Sequence, residues 1–449
     1  MRVLISTSTF PLRRDDGLPR FVCDLAEELA QRGEVTVLAP HAPSAAAHER
    51  WGALEVERFG YFRPRRWQRL AYGHGIGANL RGSWLARLQL PPFLLAQVCA
   101  IRSLVQTRRI DVVNSHWILP QGLTTALARG RSARFRHVVT LHGGDAYLLR
   151  RLPLARRLAS FILSRSDAVF AVSSNVRDQL DAALGRRSGA LVQPMGVHVE
   201  RFREAAEPAA EEAPFPQGYL LYVGRLLEIK GVVHLLRAMP TVLARRPGIG
   251  LLVVGYGERE EALRAEAERL GIGSAVRFAG RRPHEEVARS FRGCRLAVVP
   301  SIERADGRAE GMPTVVLEAL ASGARVVATA TGGIPDVLRH AENGWLCRDH
   351  DPQDLAEKIL CALDDPRDQR SQLINEPPSL RASHAHLNLA RDGRCLPGHI
   401  HIRRHSGRYS RARKYSRRQR RRHRQSRQLR RRNPAQGLPA VPVFIRDQR

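Results

Sequence analysis

Lysine is almost missing from this sequence. Three of its 73 basic residues are Lys (Lys230, Lys358, Lys414) and the other 70 are Arg. Both side chains are cationic, so electrostatics does not demand that bias, whereas a GC-rich coding sequence does. Cysteine is sparse: Cys23, Cys99, Cys294, Cys347, Cys361 and Cys395 form no CxxC pair and no metal-ligand spacing. That excludes a zinc-ribbon or dithiol redox reading and leaves ordinary reduced thiols of a cytosolic protein. Long apolar runs are missing too, and no stretch reads as the 18 or so apolar residues of a membrane span. The opening MRVLISTSTF runs straight into an apolar β-like segment, without the h-region and cleavage site of a signal peptide. The expectation is a soluble or monotopic cytoplasmic protein.

Apolar residues make up 43% of the 449 positions, enough for real cores, and the length suits two or three domains. The formal charge of +30 invites a nucleic-acid or anionic-membrane partner. Its distribution weakens that reading. Residues 367–449 carry 23 Lys+Arg against 4 Asp+Glu, leaving 50 against 39 for residues 1–366.

Short aliphatic runs alternate with amphipathic helical stretches. The runs are Arg2–Ile5, Glu34–Leu38, Asp111–Asn114, His137–Leu141, Ala168–Val172 and Ala190–Val192, then Tyr219–Val223, Gly250–Val254, Ala275–Phe278, Arg295–Val299 and Arg325–Ala328. Helices are expected over Phe21–Arg32, Val232–Arg245, Glu258–Leu270, Pro283–Arg292 and Asp354–Leu363. Such alternation predicts an α/β fold with doubly wound parallel sheets, and near-continuous apolar strands fit sheets covered on both faces. Eleven strands are many for one open sheet. The Ala/Glu/Pro-rich stretch 204–217 reads as a linker between two Rossmann-like domains, 1–203 and 218–365, that face a cleft. A basic tail, 366–449, expected to be disordered, follows. Residues 58–109 break the alternation: RFGYFRPRRWQRL mixes four aromatics with five arginines, and LQLPPFLLAQVCAI follows. This is either a membrane-surface segment or an insertion with a solvated basic face and a packed helix.

The richest stretch is VVPSIERADGRAEGMPTVVLEALASGARVV. A strand ends at Val299, Pro313 falls at the first helical position, and a helix runs from about Thr314 to Ala321 with Gly323 beyond its end. Glu310 precedes the helix, and Glu318 shares a face with Thr314 four residues earlier. Free N–H groups at this helix start can hold phosphate or sugar oxygens. Taken singly, each Glu could instead be a surface or dipole-capping residue. A second cluster is YVGRLLEIKG, 222–231, a strand entering a Gly turn followed by Arg225 and Lys230. A third is TLHGGD, 140–145, with His142 and Asp145 at a strand's carboxyl end.

Together these strings resemble the family-4 retaining glycosyltransferases, with their EG(x)P(x)(x)(x)LEA(x)A(x)G frame, GR(x)(x)(x)(x)KG element and HG(x)D element. The resemblance covers residues 1 to about 365. It implies the two-domain GT-B architecture and transfer of a sugar from a UDP- or GDP-linked donor, with no cofactor and no metal. It implies that Glu318 binds the donor ribose and that Glu310 with Gly311, Met312, Pro313 and Thr314 holds the donor sugar. Arg225 and Lys230 would stabilise the diphosphate, His142 would lie near the anomeric centre, and Asp145 would support it. Arg281 in RFAGRRPHEEV would neighbour the base. The loop FPLRRDDGLPRFV departs from the family's Gly pair: Asp16 replaces the first Gly and only Gly17 remains for close backbone approach. SHWILPQG, 115–122, resembles branches acting on bacterial polysaccharide and lipid-linked intermediates. The implied partners are therefore a nucleotide-sugar and a lipid-linked or polysaccharide acceptor, with an anionic membrane surface at the inner membrane face as a further candidate. A nucleotide-sugar epimerase or phosphorylase of the same fold remains an alternative.

The tail reads as a basic arm for nucleic acid or anionic lipid, or as text translated out of frame. Shifting NLARDGRCLPGHI, 388–400, by one base permits a Thr-Trp-x-x-Met-Ala-Ala-Ala-Tyr-Leu-Ala-Ile string like the family's terminal helix. No specific nucleic-acid partner is expected.

Overall fold

The computed structural model describes residues 1–13, 20–73, 75–130, 135–206, 215 and 217–366. Two sheets organise them. The first contains β1 (Arg2–Ser6), β2 (Glu34–Pro40), β3 (His48–Trp51), β4 (Leu54–Phe59), β5 (Val112–His116), β6 (Arg136–Leu141), β7 (Ala168–Ala171) and β8 (Leu191–Val192), in the order β3-β4-β2-β1-β5-β6-β7-β8. The second contains β9 (Tyr219–Val223), β10 (Gly250–Val254), β11 (Val276–Gly280), β12 (Leu296–Val299), β13 (Val326–Thr329) and β14 (Trp345–Cys347), in the order β11-β10-β9-β12-β13-β14. Every pairing is parallel except β3 with β4. The second sheet has the doubly wound strand order, and the first repeats it over β4-β2-β1-β5-β6-β7, with β3 added at one edge and β8 at the other.

The helices of the first lobe are α1 (Phe21–Ala30), α2 (Ile76–Gly82), α3 (Trp84–Thr107), α4 (Leu123–Arg129), α5 (Gly144–Arg151), α6 (Ala155–Leu163) and α7 (Ser174–Leu184). Then follow α8 (Val199–Arg203), α9 (Val232–Arg245), α10 (Glu260–Arg269), α11 (His284–Gly293), α12 (Thr314–Ala321), α13 (Ile334–Val337) and α14 (Pro352–Asp364). Helices cover both faces of each sheet, so the strands bury both sides. Leu4, Ile5, Val37 and Val113 in the first sheet and Leu220, Leu251, Leu296 and Val327 in the second are fully buried.

Four features differ from the sequence expectation. The edge hairpin β3–β4 was not anticipated, because its half-buried alternation is weaker than the apolar runs of central strands. Strand β14 is three residues long, too short to leave a pattern. Helix α3 is long and apolar enough by composition to cross a membrane, yet Phe93, Ile101 and Val105 on it are packed into the first lobe. The packed helix that was one of the two readings of residues 58–109 is thus present, with Pro91 and Pro92 inside it. Finally, α8 lies before the expected boundary at 203 but packs its Val199 and Phe202 into the second lobe's core with Phe291 and Leu317. The expected linker falls mostly outside the described residues, as does the tail from 367.

Candidate functional site

Doubly wound sheets bind ligands beyond the carboxyl ends of their strands, where the strand order reverses. In the second lobe that point lies between β9 and β12. Strand β9 leads into Gly224 and Arg225, and β12 into Pro300 and Ser301. A Cβ at Gly231 would lie 1.9 Å from the Pro300 carbonyl oxygen, so this left-handed glycine (φ 65°) lets the two loops touch. The contact brings Lys230 to Glu310: Nζ lies 2.5 Å from Oε1. Ser301 donates its hydroxyl to the other carboxylate oxygen at 2.6 Å. Ser301 is buried and is a site residue that sequence reasoning missed. It sits inside the quoted string, but a lone Ser after a strand carries no signal of its own. Tyr222, buried beneath, donates to the Arg225 carbonyl at 2.9 Å. Burial, together with the nearby Glu310 charge, pushes its phenol well up. Arg225 itself is exposed at the cleft.

Helix α12 begins at Thr314, with Pro313 as its cap instead of its first residue. Thr314 donates to Glu318 Oε1 at 3.1 Å, the i,i+4 contact expected from the spacing. Burial pushes the Glu318 carboxyl up to about 7, and Asp24 across the cleft adds to the rise. The Thr314 hydroxyl, Lys230 and Arg201 oppose it. Arg281 follows β11 with its guanidinium over the Tyr256 ring, 5.7 Å from the centroid, two strands away from β9 on the sheet edge.

In the first lobe the order reverses between β1 and β5, and β5 ends at His116. Asp145, at the start of α5, is buried and accepts three backbone N–H groups: Ile118 at 2.7 Å, Gly143 at 3.0 Å and His142 at 3.1 Å. Burial raises its pKa against the pull of those donors. Asp145 thus fixes the turn that presents His142. The His142 ring is boxed by Phe21 (5.1 Å between centroids), Trp117 (4.7 Å) and His116 (5.1 Å, nearly parallel). His116 Nδ1 lies 2.9 Å from His142 Nε2, so one ring donates and the other accepts. His116 was another residue that sequence reasoning passed over, although it opens the SHWILPQG string.

The two groups meet. A Cβ at Gly143 (φ 112°) would lie 2.8 Å from the Gly311 Cα, and one at Gly311 would lie 1.9 Å from the His142 carbonyl oxygen. Met312 packs against the first lobe's core. Ser174, at the start of α7, donates through N and Oγ to Asp336 at 2.5 and 2.7 Å. Below them, Arg201 reaches Asp24 at 3.4 Å and His198 reaches Glu27 at 3.6 Å. Asp24, Glu27 and His198 are close enough to one another to hold a metal ion, but Arg20 and Arg201 already supply positive charge to both carboxylates. Gly17 and Asp16 lie outside the described residues. The arrangement therefore brings Arg225, Lys230, Glu310, Glu318 and the start of α12 to one side of a cleft, with the backbone of His142 and Gly143 against Gly311. Arg281 stands apart at the rim.

Comparison with known proteins agrees over both lobes. A family model described as Glycosyltransferase Family 4 matches residues 16–201, and one described as Glycosyl transferases group 1 matches 204–378. The chain is 35% identical to a D-inositol 3-phosphate glycosyltransferase of Corynebacterium jeikeium, over 81% of this chain and 89% of that one. It is 29% identical to a GDP-mannose-dependent phosphatidylinositol monomannoside mannosyltransferase of Mycolicibacterium smegmatis, over 81% and 90%. A putative colanic acid biosynthesis glycosyltransferase of Escherichia coli is 28% identical over 56% of this chain and 61% of that one. Among solved structures, sucrose-phosphate synthase from Thermosynechococcus elongatus shares the fold, with a TM-score of 0.66 and 21% identity over 86% of this chain and 98% of that one. Anabaena HepE, solved in complex with UDP and glucose, matches with a TM-score of 0.58 and 18% identity over 86% and 95%.

Proposed function

Because the chain belongs to glycosyltransferase family 4, we propose that it moves a sugar, with retention, from a UDP- or GDP-sugar to a lipid-linked or polysaccharide acceptor at the inner membrane face. The observation that carries this reading is the Lys230–Glu310 contact, 2.5 Å long, at the second lobe's switch point beside the start of α12. An ammonium and helix N–H groups suit a diphosphate, and a carboxylate suits sugar hydroxyls. The relative named for colanic acid biosynthesis supports a polysaccharide acceptor, and the one named for phosphatidylinositol monomannoside supports a lipid-linked acceptor.

In this reaction the acceptor hydroxyl attacks the anomeric carbon on the face the diphosphate leaves. The carbon–oxygen bond to phosphate breaks as the bond to the acceptor oxygen forms, and the hydroxyl proton passes to the departing phosphate oxygen. Negative charge grows on the leaving group. Lys230 and Arg225 stabilise it electrostatically, in the role a divalent ion plays in other transferases. Glu310, released from Lys230 as the ammonium turns to phosphate, accepts hydrogen bonds from the donor sugar. Glu318 accepts from the ribose, His142 packs near the reacting carbon, and Arg281 with Tyr256 flanks the base.

Transfer assays with UDP- and GDP-sugars test the reading. Glu310→Ala and Lys230→Ala should each nearly abolish acceptor-dependent donor consumption. Wild-type rates in both variants would sink it, and donor conversion without acceptor would point to an epimerase.

A further inference from the structure

We infer that α3 and the loop before it form a docking surface for an anionic lipid bilayer. Along α3, Trp84, Leu88, Pro91, Leu95 and Cys99 recur at helical spacing and are all exposed. Three are large and well out of the protein: Trp84 is 75% exposed, Leu95 66% and Leu88 56%. The opposite side of the helix, with Phe93 and Ile101, is in the core. The helix is therefore fixed flat on the lobe, offering an apolar stripe in place of a span.

Beside the stripe lies a second element. The loop 63–69 exposes Arg63, Arg65, Arg66 and Arg69, with Trp67 49% exposed. Gln89, fully buried on α3, holds this loop in place with both ends of its amide. Its nitrogen donates to the Trp67 carbonyl at 2.6 Å, and its oxygen accepts from the Arg69 N–H at 3.0 Å. Gln89 thus ties the arginine loop to the helix that carries the stripe.

Charge selects the occupant. From Arg58 to Ile110 the sequence has ten Arg and no Asp or Glu; Arg58 and Arg108 are paired with Glu49, Glu55 and Glu57, while the four loop arginines with Arg81 and Arg87 stay exposed. A second copy of the chain would bring the same positive charge and be repelled. A nucleic acid would match the charge but leave Leu88 and Leu95 without use. An anionic bilayer satisfies both: phosphates for the arginines and an acyl boundary for the stripe. The inference deepens the lipid-linked-acceptor reading, but its evidence is independent of the donor site.

The test uses the full chain with vesicles of phosphatidylglycerol and phosphatidylcholine in equal parts, their acyl chains brominated to quench Trp on contact. Residues 367–449 contain no Trp, so any vesicle binding by that basic run is silent. Trp51 and Trp345 are buried and Trp117 lies in the His142 box, which leaves Trp67 and Trp84 as reporters. Quenching is expected with these vesicles, absent with phosphatidylcholine alone, and lost in Trp67→Phe/Trp84→Phe. Leu88→Ser/Leu95→Ser should weaken partitioning at least about tenfold, and each Arg→Gln in the loop about fivefold. Co-sedimentation without quenching, quenching that persists in the double Phe variant, or no vesicle binding would overturn the inference. A thermal shift with UDP or GDP is to be preserved in every variant. If no nucleotide shifts even the wild type, the donor reading fails while the bilayer surface can still stand.

Discussion

The two sides of the cleft are built by different means. On the second lobe, side chains are held by charge: Lys230 against Glu310, Ser301 on the same carboxylate, and Thr314 on Glu318. On the first lobe, His142 is held by rings and by a backbone turn that Asp145 fixes through three N–H groups. Under the proposed transfer, the contrast matches the chemistry each side would serve. A leaving diphosphate gains charge and needs fixed cations, whereas a neutral sugar ring needs a shaped, partly apolar wall. The charged side is expected to set catalysis and donor affinity, the aromatic side to set alignment.

The largest effects should come from the charged side. Lys230→Ala or Glu310→Ala should lower kcat by about 10²–10³ or more, the cost of losing one transition-state stabiliser. Next, Gly311→Ala places a Cβ against the His142 carbonyl. It should force the lobes apart and cost about tenfold or more in kcat/KM, with the second lobe's nucleotide affinity largely kept. Equal loss of nucleotide binding would blur the division between the two sides. On the aromatic side, His116→Phe should lower kcat about tenfold at unchanged KM and alter the pH profile, because His142 loses its ring partner. Rescue by His116→Gln would confirm a positioning role.

Glu318 gives a sign that charge alone would not. Its folded pKa of about 7 lies above the ordinary 4.5, so the folded state binds the extra proton between those values, and stability falls as pH rises through that window. Glu318→Gln should therefore stabilise the protein at pH 8 by roughly 2–3 kcal/mol, seen as a higher Tm, while weakening donor binding. Donor affinity of the wild type should in turn decline as pH falls through 7. The smallest effect expected is that of chelation: EDTA should leave the transfer rate unchanged if Lys230 and Arg225 carry the leaving-group charge.

Much of this was legible in the sequence. The eleven apolar runs all became strands, because central parallel strands are buried on both faces and show it. The Thr314–Glu318 contact followed from helical spacing. What escaped depended on tertiary context. Ser301 matters only because Gly231 lets two loops touch, and His116 only because β5 and β6 are neighbours. Helix α8 declared its lobe through packing alone, and the hairpin β3–β4 lies at an edge where half-burial dilutes the pattern. Arg281 was identified by resemblance, and the fold sets it at the rim beside Tyr256.

The central claim is that the Lys230–Glu310 pair opens to take a donor diphosphate. Isothermal titration of the wild type and Lys230→Ala with UDP and GDP tests it most directly. One nucleotide should bind the wild type, weaken as salt rises, and lose about tenfold or more in affinity in the variant. Equal affinity in both proteins, or no binding of either nucleotide, would contradict it.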